Sequence, residues 1–274
     1  MDIQAKYAAF KALHEQENAF VIPNPWNAGS AIILQNLGFE ALATTSAGLG
    51  FSVGRMDSGG ELTREDTLQN AREIVAAADL PVSADLEGGF GHAPEDCAET
   101  IELASRAGLV GGSIEDATGL PDAPIYDFEH AVERIAAAVE AARKLPFVLT
   151  ARAENFLHGR RDLDDTIRRL QAFEAAGADV LYAPGLPDLD AIRLVCSSVS
   201  RPVNVVMGLS GPNWSVTQLA TAGVKRVSVG GSFARAALGG FIRAANEVRE
   251  QGTFNYAVEA VPDAEARRIM AGRR

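Results

Sequence analysis

A single closed (β/α)8 TIM barrel followed by a C-terminal helical extension is the α/β fold this sequence predicts, and three observations predict it. Short apolar runs alternate with amphipathic, helix-length patterns along the chain, at a spacing of about 20 to 40 residues that parallel βα units produce. Eight such runs can be counted, which favours closure into a barrel over an open sheet. A similar glycine turn recurs just before strands, at Leu37-Gly38-Phe39, Arg106-Ala107-Gly108, Ala176-Gly177-Ala178 and Ala222-Gly223-Val224.

Residues 1–20 carry Asp2, Lys6, Lys11, Glu15 and Glu17 in a polar helix pattern that lacks the apolar centre of a signal peptide. Strands are predicted at residues 20–24, 41–45, 81–87, 110–116, 147–154, 179–184, 202–207 and 226–231. Helices are predicted between them at 28–37, 64–77, 93–106, 127–144, 163–175, 188–199 and 216–222. Several end at a glycine stop, Gly38, Gly108, Gly177 or Gly223. No Gly-x-Gly-x-x-Gly follows the first strand, so a dinucleotide-binding sheet is the weaker reading. After the eighth strand, residues 233–250 read as a helix and the chain continues to Arg274 in an Ala-, Glu- and Arg-rich segment. One domain thus spans 1–274, with 240–274 as an extension that a barrel does not need; it would either pack on a neighbouring subunit or lie as a simple surface helix.

Composition narrows the function. With 47% hydrophobic and 22% charged residues the chain is globular. A formal net charge of -11 disfavours nucleic acid, while leaving room for a local cationic pocket that takes small carboxylates. The two cysteines, Cys97 and Cys196, have no metal-ligand spacing and suit a reduced, cytoplasmic compartment. The longest uncharged stretch, 202–224, contains Asn204, Asn213 and Gln218 and would be a poor membrane span.

The third strand ends Ser83-Ala84-Asp85-Leu86-Glu87-Gly88-Gly89. Side chains two apart in a strand share a face, so Asp85 and Glu87 would stand side by side and repel unless neutralised. An all-oxygen pair with no nearby Cys points to Mg²⁺ or Mn²⁺; a loop-capping pair salt-bridged to arginine is the alternative. Asp57 lies within loop reach of the same place. The second strand runs into Thr44-Thr45-Ser46-Ala47-Gly48-Leu49-Gly50, a small-residue loop whose amides and Ser46 hydroxyl could cradle a carboxylate. The fourth and fifth strands end in Glu115-Asp116 and Arg152-Ala153-Glu154. Arg152 would face the pocket, either clamping a substrate carboxylate or pairing internally with Glu115 or Glu154. All four lysines lie away from the strand carboxyl ends, which argues against a Schiff base. His92 and His158 are too few for a zinc site, though either could serve as acid or base.

These motifs, in this order, resemble the isocitrate lyase and phosphoenolpyruvate mutase superfamily across nearly the whole chain. The resemblance implies that Asp85 ligates Mg²⁺ while Asp57, Glu87 and Glu115 hold its waters. It implies that Ser46, Ala47, Gly48 and Arg152 bind the substrate carboxylate, with Arg152, Glu115 and Ser46 taking part in the chemistry. It also implies dimers or tetramers that exchange a C-terminal helix. Trp26, the 117–126 loop, Tyr182, Asn204 and residues near Met207 would line the rest of the pocket. Two departures matter: the 117–126 loop lacks the Lys-Lys-Cys-Gly-His acid–base thiol of isocitrate lyases and the lysine and asparagine of mutases, and Glu87 stands where many members have Asp. The expectation is a Mg²⁺-dependent carbon–carbon lyase for a small 2-oxo or 2-hydroxy dicarboxylate, oxaloacetate-type decarboxylation first. P–C bond chemistry and a non-catalytic 2-oxo acid binding protein are the alternatives.

Overall fold

The computed structural model describes residues 1–57, 61–209 and 211–272; Ser58, Gly59, Gly60, Ser210 and the end of the predicted extension, Arg273 and Arg274, lie outside the described residues. Eight parallel strands form one sheet: β1 (Phe20–Ile22), β2 (Leu42–Ala43), β3 (Val82–Asp85), β4 (Gly111–Glu115), β5 (Val148–Arg152), β6 (Val180–Tyr182), β7 (Val203–Val206) and β8 (Arg226–Ser228). Their order, β1-β8-β7-β6-β5-β4-β3-β2, rolls the sheet round until its ends meet. A backbone hydrogen bond from Ala43 N–H to the Pro23 carbonyl, 3.0 Å, bridges β1 and β2 and completes the (β/α)8 barrel.

Helix α1 (Ile3–Glu15) precedes the barrel; α2 (Ala28–Asn36), α3 (Ser46–Val53), α4 (Arg64–Ala77), α5 (Pro94–Arg106), α6 (Phe128–Ala142), α7 (Leu163–Ala176), α8 (Leu189–Ser198) and α9 (Val216–Thr221) surround it. Most begin where the sequence offers an oxygen to an otherwise unpaired amide. Asn27 accepts from Ser30 N–H at 2.9 Å, Asp162 from Asp165 N–H at 2.9 Å and Asp188 from Ala191 N–H at 2.8 Å.

Residues 46–50, predicted as a loop, are instead the start of α3. Thr45 caps it by accepting from Gly48 N–H at 3.2 Å, and Gly54, at φ 70°, ends it in the left-handed region. The glycines inside it answer to close packing. A Cβ on Gly48 would lie 2.6 Å from Thr45 Cγ2 and 2.9 Å from Trp26 Cβ, and one on Gly50 would lie 2.7 Å from the Arg55 carbonyl. Packing overrides their weak helix propensity.

The barrel interior has two tiers. At the amino-terminal end an apolar plug joins Phe10 and Leu13 of α1 to Phe20, Ile22, Val110, Val148 and Val180. Above it the inward positions turn polar. His14, also on α1, bridges the tiers: its Nδ1–H donates to the Phe10 carbonyl at 2.8 Å and its Nε2 faces Arg226 Nη1 at 3.3 Å.

Beyond the barrel, α10 (Ser232–Gln251) buries only Ala234 fully, leaving Phe241 and Ile242 exposed. A 3₁₀ turn (Asn255–Val258) leads to α11 (Asp263–Ala271), which rests on α2 of its own chain through Asn36 Nδ2–H and the Ile269 carbonyl, 2.8 Å. No helix among the described residues is long and apolar enough to cross a membrane.

Burial, reinforced by Arg226, pushes the His14 pKa down to about 3 from 6.5. The native state therefore refuses a proton that the unfolded chain accepts below pH 6.5, so stability falls as pH drops from 6.5 toward 3. The slope approaches about 1.4 kcal/mol per pH unit. His14→Gln, which keeps an acceptor, is expected to flatten urea-unfolding free energies over that window; an unchanged slope would contradict this reading.

Candidate active site

A cavity of about 170 Å³ opens among the carboxyl ends of the strands, lined by Thr44, Ser46, Ala47, Asp57, Asp85, Arg152, Tyr182, Asn204, Arg226 and Ser228 among others. Period-two alternation delivers much of this lining. The registers Glu115↔Arg152, Arg152↔Tyr182, Tyr182↔Asn204 and Asn204↔Arg226 step round the sheet from β4 to β8.

Arg152 is the hub. Its Nη1 lies 3.0 Å from Asp85 Oδ1, its Nη2 3.0 Å from Glu115 Oε2 and its Nε 2.9 Å from Glu154 Oε1. Every nitrogen of the guanidinium thus faces a carboxylate, and the internal pairing weighed from the sequence is the arrangement observed. Asp85 Oδ2 accepts from the Ser46 hydroxyl at 2.8 Å and, more weakly, from Ser46 N–H at 3.4 Å. The amino end of α3 is therefore aimed at this carboxylate, where its dipole favours negative charge.

Glu87 departs from the strand-face expectation. β3 stops at Asp85, and Glu87 follows in the left-handed region at φ 48°, with Phe90 at φ 61°. Neighbouring helices hold this strained turn: Arg134 Nη2 donates to the Gly88 carbonyl and Thr100 Oγ1 to the Gly89 carbonyl at 2.8 Å. The Glu87 Oε1 atom is buried with no hydrogen-bond partner among the described residues. Burial, then the charges of Asp85 and Asp57, push its carboxyl up to about 8. Burial likewise raises Glu115 and Glu154, against the opposing charge of Arg152. Neither Glu87 nor Glu115 lines the cavity; Glu115 is held on Arg152, and Glu87 feels the charges of Asp85, Asp57 and Arg152.

The donor set suits a hard cation. Asp85 and Asp57 line the cavity, no Cys or His is among its lining residues, and one carboxylate oxygen of Glu87 is buried without a partner among the described residues. Among the described residues no three acidic, thiol or imidazole groups converge as a ready-made cage. Mg²⁺ does not need one, since it binds through one or two carboxylates and keeps several waters.

Of the other predicted residues Asn204 lines the cavity, whereas Trp26, Gly48 and the 117–126 loop do not. Trp26 and Gly48 line a separate, mostly apolar cavity of about 190 Å³ between α3 and Ala234, Ala237, Leu238 and Phe241 of α10. The Gly48 amide is already used by the Thr45 cap. Asn204 is buried, with its Nδ2 donating to Ser228 Oγ at 3.0 Å and its Oδ1 accepting from Arg226 Nε at 2.8 Å. The 117–126 loop does not line the cavity. It folds on itself through an Ala117↔Ile125 bridge, and its end is drawn away because the Tyr126 carbonyl accepts from Arg169 at 3.0 Å while the Tyr126 hydroxyl meets His92 Nδ1 at 2.6 Å. His92 and His158 also lie off the cavity.

Two features escaped the sequence reading. Arg226, inside the barrel, is signalled only by its place two residues before Ser228 on one strand face. The other is a buried ion network behind the site: Asp116 accepts from Glu154 N–H at 2.8 Å and from Arg169 Nη1 at 3.0 Å, and Arg169 Nε donates to Asp165 at 2.9 Å.

The family model for phosphoenolpyruvate phosphomutase matches residues 10–249 of this chain. A crystal structure described as a lyase/mutase from Burkholderia cenocepacia J2315 superposes with a TM-score of 0.96 at 59% identity, covering 99% of this chain and 98% of that one. The 2-methylisocitrate lyase of Escherichia coli (strain K12) is 28% identical over 95% of this chain and 90% of its own length. The oxaloacetate decarboxylase of Ectopseudomonas mendocina (strain ymp) is 30% identical over 73% of this chain and 69% of its own length.

Removing one member of a buried ion network strands the others. Arg169→Met is expected to lower the unfolding free energy by about 3 to 5 kcal/mol in urea titrations; a loss below about 1 kcal/mol would show that Asp116 and Asp165 are satisfied without it.

Proposed function

Because the chain belongs to the phosphoenolpyruvate phosphomutase family, within the isocitrate lyase and phosphoenolpyruvate mutase superfamily of enzymes, we propose that it is a Mg²⁺-dependent carbon–carbon lyase. Its substrate is a small 2-oxo or 2-hydroxy dicarboxylate, and oxaloacetate-type decarboxylation is the favoured reaction. One observation carries the metal-dependent part of this reading: the carboxylates of Asp85, Glu115 and Glu154 share the guanidinium of Arg152, Glu87 stands among the charges of Asp85, Asp57 and Arg152, and one buried oxygen of Glu87 has no partner among the described residues.

Asp85 is the residue proposed to hold the metal directly, with Asp57, Glu87 and Glu115 holding its waters. Bound there, Mg²⁺ supplies Lewis-acid polarisation of the substrate's carbonyl and adjacent carboxylate. Ser46 and the first-turn amide of Ala47, at the amino end of α3, orient that carboxylate. Arg152 keeps Asp85, Glu115 and Glu154 in place and adds positive charge where negative charge develops. Burial raises the Tyr182 hydroxyl, so it keeps its proton and remains a donor on the cavity wall. In decarboxylation the bond between C3 and the departing carboxyl breaks, its electron pair stays on the substrate, and solvent supplies the proton to C3. This route asks nothing of the 117–126 loop, which carries no thiol.

An NMR assay with Mg²⁺ against oxaloacetate, 2-methylisocitrate, 2,3-dimethylmalate and phosphonopyruvate, with EDTA and metal-only blanks, tests the proposal. Loss of a C–C substrate above the blank is expected, and Asp85→Ala should reduce it by about 100-fold or more. Turnover of phosphonopyruvate alone would instead favour the P–C chemistry that the family model's description carries. Silence across the panel, or an Asp85→Ala variant of full activity, would sink the lyase reading.

The exposed apolar face of α10 is proposed to be covered by a second copy of the chain, as a dimer or tetramer. Light scattering should report an oligomer, and Phe241→Glu with Ile242→Lys should shift it to monomer; a monomeric wild-type protein would overturn this.

A further inference from the structure

Arg226 differs from the other arginine of the cavity in having no anion. The residue is 5% exposed, yet it lines the same cavity as Ser46, Asp85 and Arg152. Its Nε donates to Asn204 Oδ1 at 2.8 Å and its Nη2 to Thr150 Oγ1 at 3.0 Å. Its Nη1 faces His14 Nε2 at 3.3 Å. His14 has its Nδ1 on the Phe10 carbonyl, so a neutral ring presents Nε2 as acceptor. All three partners are neutral, and no carboxylate among the described residues lies within ion-pair distance. A guanidinium has five N–H donors, and three contacts leave two of them unassigned. A buried cation without a counter-ion is costly unless something completes it.

The position matters as much as the charge. Thr150, which Arg226 touches, lies two residues before Arg152 on the same face of β5, so the two guanidiniums bear on successive inward positions of one strand. Arg226, Asp85 and Ser46 line one cavity, so a small dicarboxylate held at one end near Asp85 and Ser46 has Arg226 within the same enclosure. Such a ligand could reach the two unassigned donors with its other end.

We propose that Arg226, positioned by Asn204 and Thr150, binds the distal carboxylate of the substrate in the barrel cavity and is the residue that selects dicarboxylic over monocarboxylic 2-oxo acids. This rests on the lyase reading for the end of the substrate near Asp85. The 2-oxo end stays at the strand carboxyl ends; in oxaloacetate the carboxyl on Arg226 is the one attached to C3, and it has to leave the guanidinium as carbon dioxide when that bond breaks.

Calorimetry on the full chain with Mg²⁺ tests it, using 2-oxoglutarate and 2-oxovalerate, which differ only in the distal carboxylate. The wild-type protein is expected to prefer the diacid by about tenfold or more, as a charge-assisted contact provides. Arg226→Met should reduce that preference to about one while leaving 2-oxovalerate affinity within about twofold. Arg226→Lys, which keeps the charge without the fork, should fall between. Preserved diacid preference in Arg226→Met, or none in the wild type while both ligands bind, overturns the assignment and leaves the lyase reading standing. Failure of the wild type to bind either 2-oxo acid overturns both. If Arg226→Met does not fold, guanidinium NMR decides on the wild type. The diacid, and not the monoacid, must then shift a buried arginine resonance that is missing in Arg226→Lys; no such shift overturns the assignment.

Discussion

A surplus of negative charge around one guanidinium is the constraint from which the rest of this site follows. Arg152 has three nitrogens and three carboxylates on them, and Glu87 and Asp57 add two more acids nearby. Like charges at such distances in a poorly solvated space cannot all persist. Two remedies exist: protons on the buried acids, which is the direction in which Glu87, Glu115 and Glu154 all move, or a cation that lets them ionise. A fold selected only for stability would replace such a cluster with apolar residues, because buried ion clusters seldom stabilise on balance. Keeping it makes physical sense where a bound cation belongs to the working protein, as proposed above.

Such a cluster needs a frame that stops its members from turning away from one another. Strand register fixes Asp85, Glu115 and Arg152. Glu154 lies just past β5 and is fixed from behind by Asp116, which Arg169 neutralises and ties to α7. Glu87 lies past β3 on a turn whose left-handed backbone costs on the order of 1 to 3 kcal/mol. Helices α5 and α6 hold that turn through Thr100 and Arg134. The outer ring of helices therefore does more than cover the sheet. It sets where the strand-end charges sit.

Much of this was legible in the sequence. Helix α4 runs over residues 64–77 as its pattern predicts, and each strand lies inside its predicted run, because apolar periodicity reports burial directly. Asp85, Glu115 and Arg152 were readable as strand-end groups for the same reason. Glu87 was misplaced because period-two reasoning holds only while the strand lasts. Helix α3 was missed because Ser, Ala and Gly at 46–50 resemble a loop, when its glycines answer to the close approach of Thr45 and Trp26. Arg226 was missed because nothing local marks it: its partners Thr150, Asn204 and His14 come from β5, β7 and α1 and meet only when the barrel closes.

The two arginines of the cavity show how surroundings divide the work of identical side chains. Arg152 is saturated by anions, so its role is to organise them and to temper their charge. Arg226 is held by a threonine hydroxyl, an amide oxygen and a neutral imidazole, which orient it without cancelling it. Burial pushes its pKa down to about 10, leaving it protonated at neutral pH. His14 matters in this balance: a protonated imidazole there would put a second cation against the first, and the burial that keeps it neutral also keeps it an acceptor. The barrel thus carries an anion-rich tier at its mouth and, among the described residues, an arginine without a carboxylate partner on the inner face of β8, with an apolar plug supplied by α1 at the amino-terminal end. In the proposed binding mode a cation held by Asp85 offsets the anionic tier for one end of the diacid, and Arg226, which its neutral partners orient without cancelling, is the group left to neutralise the other.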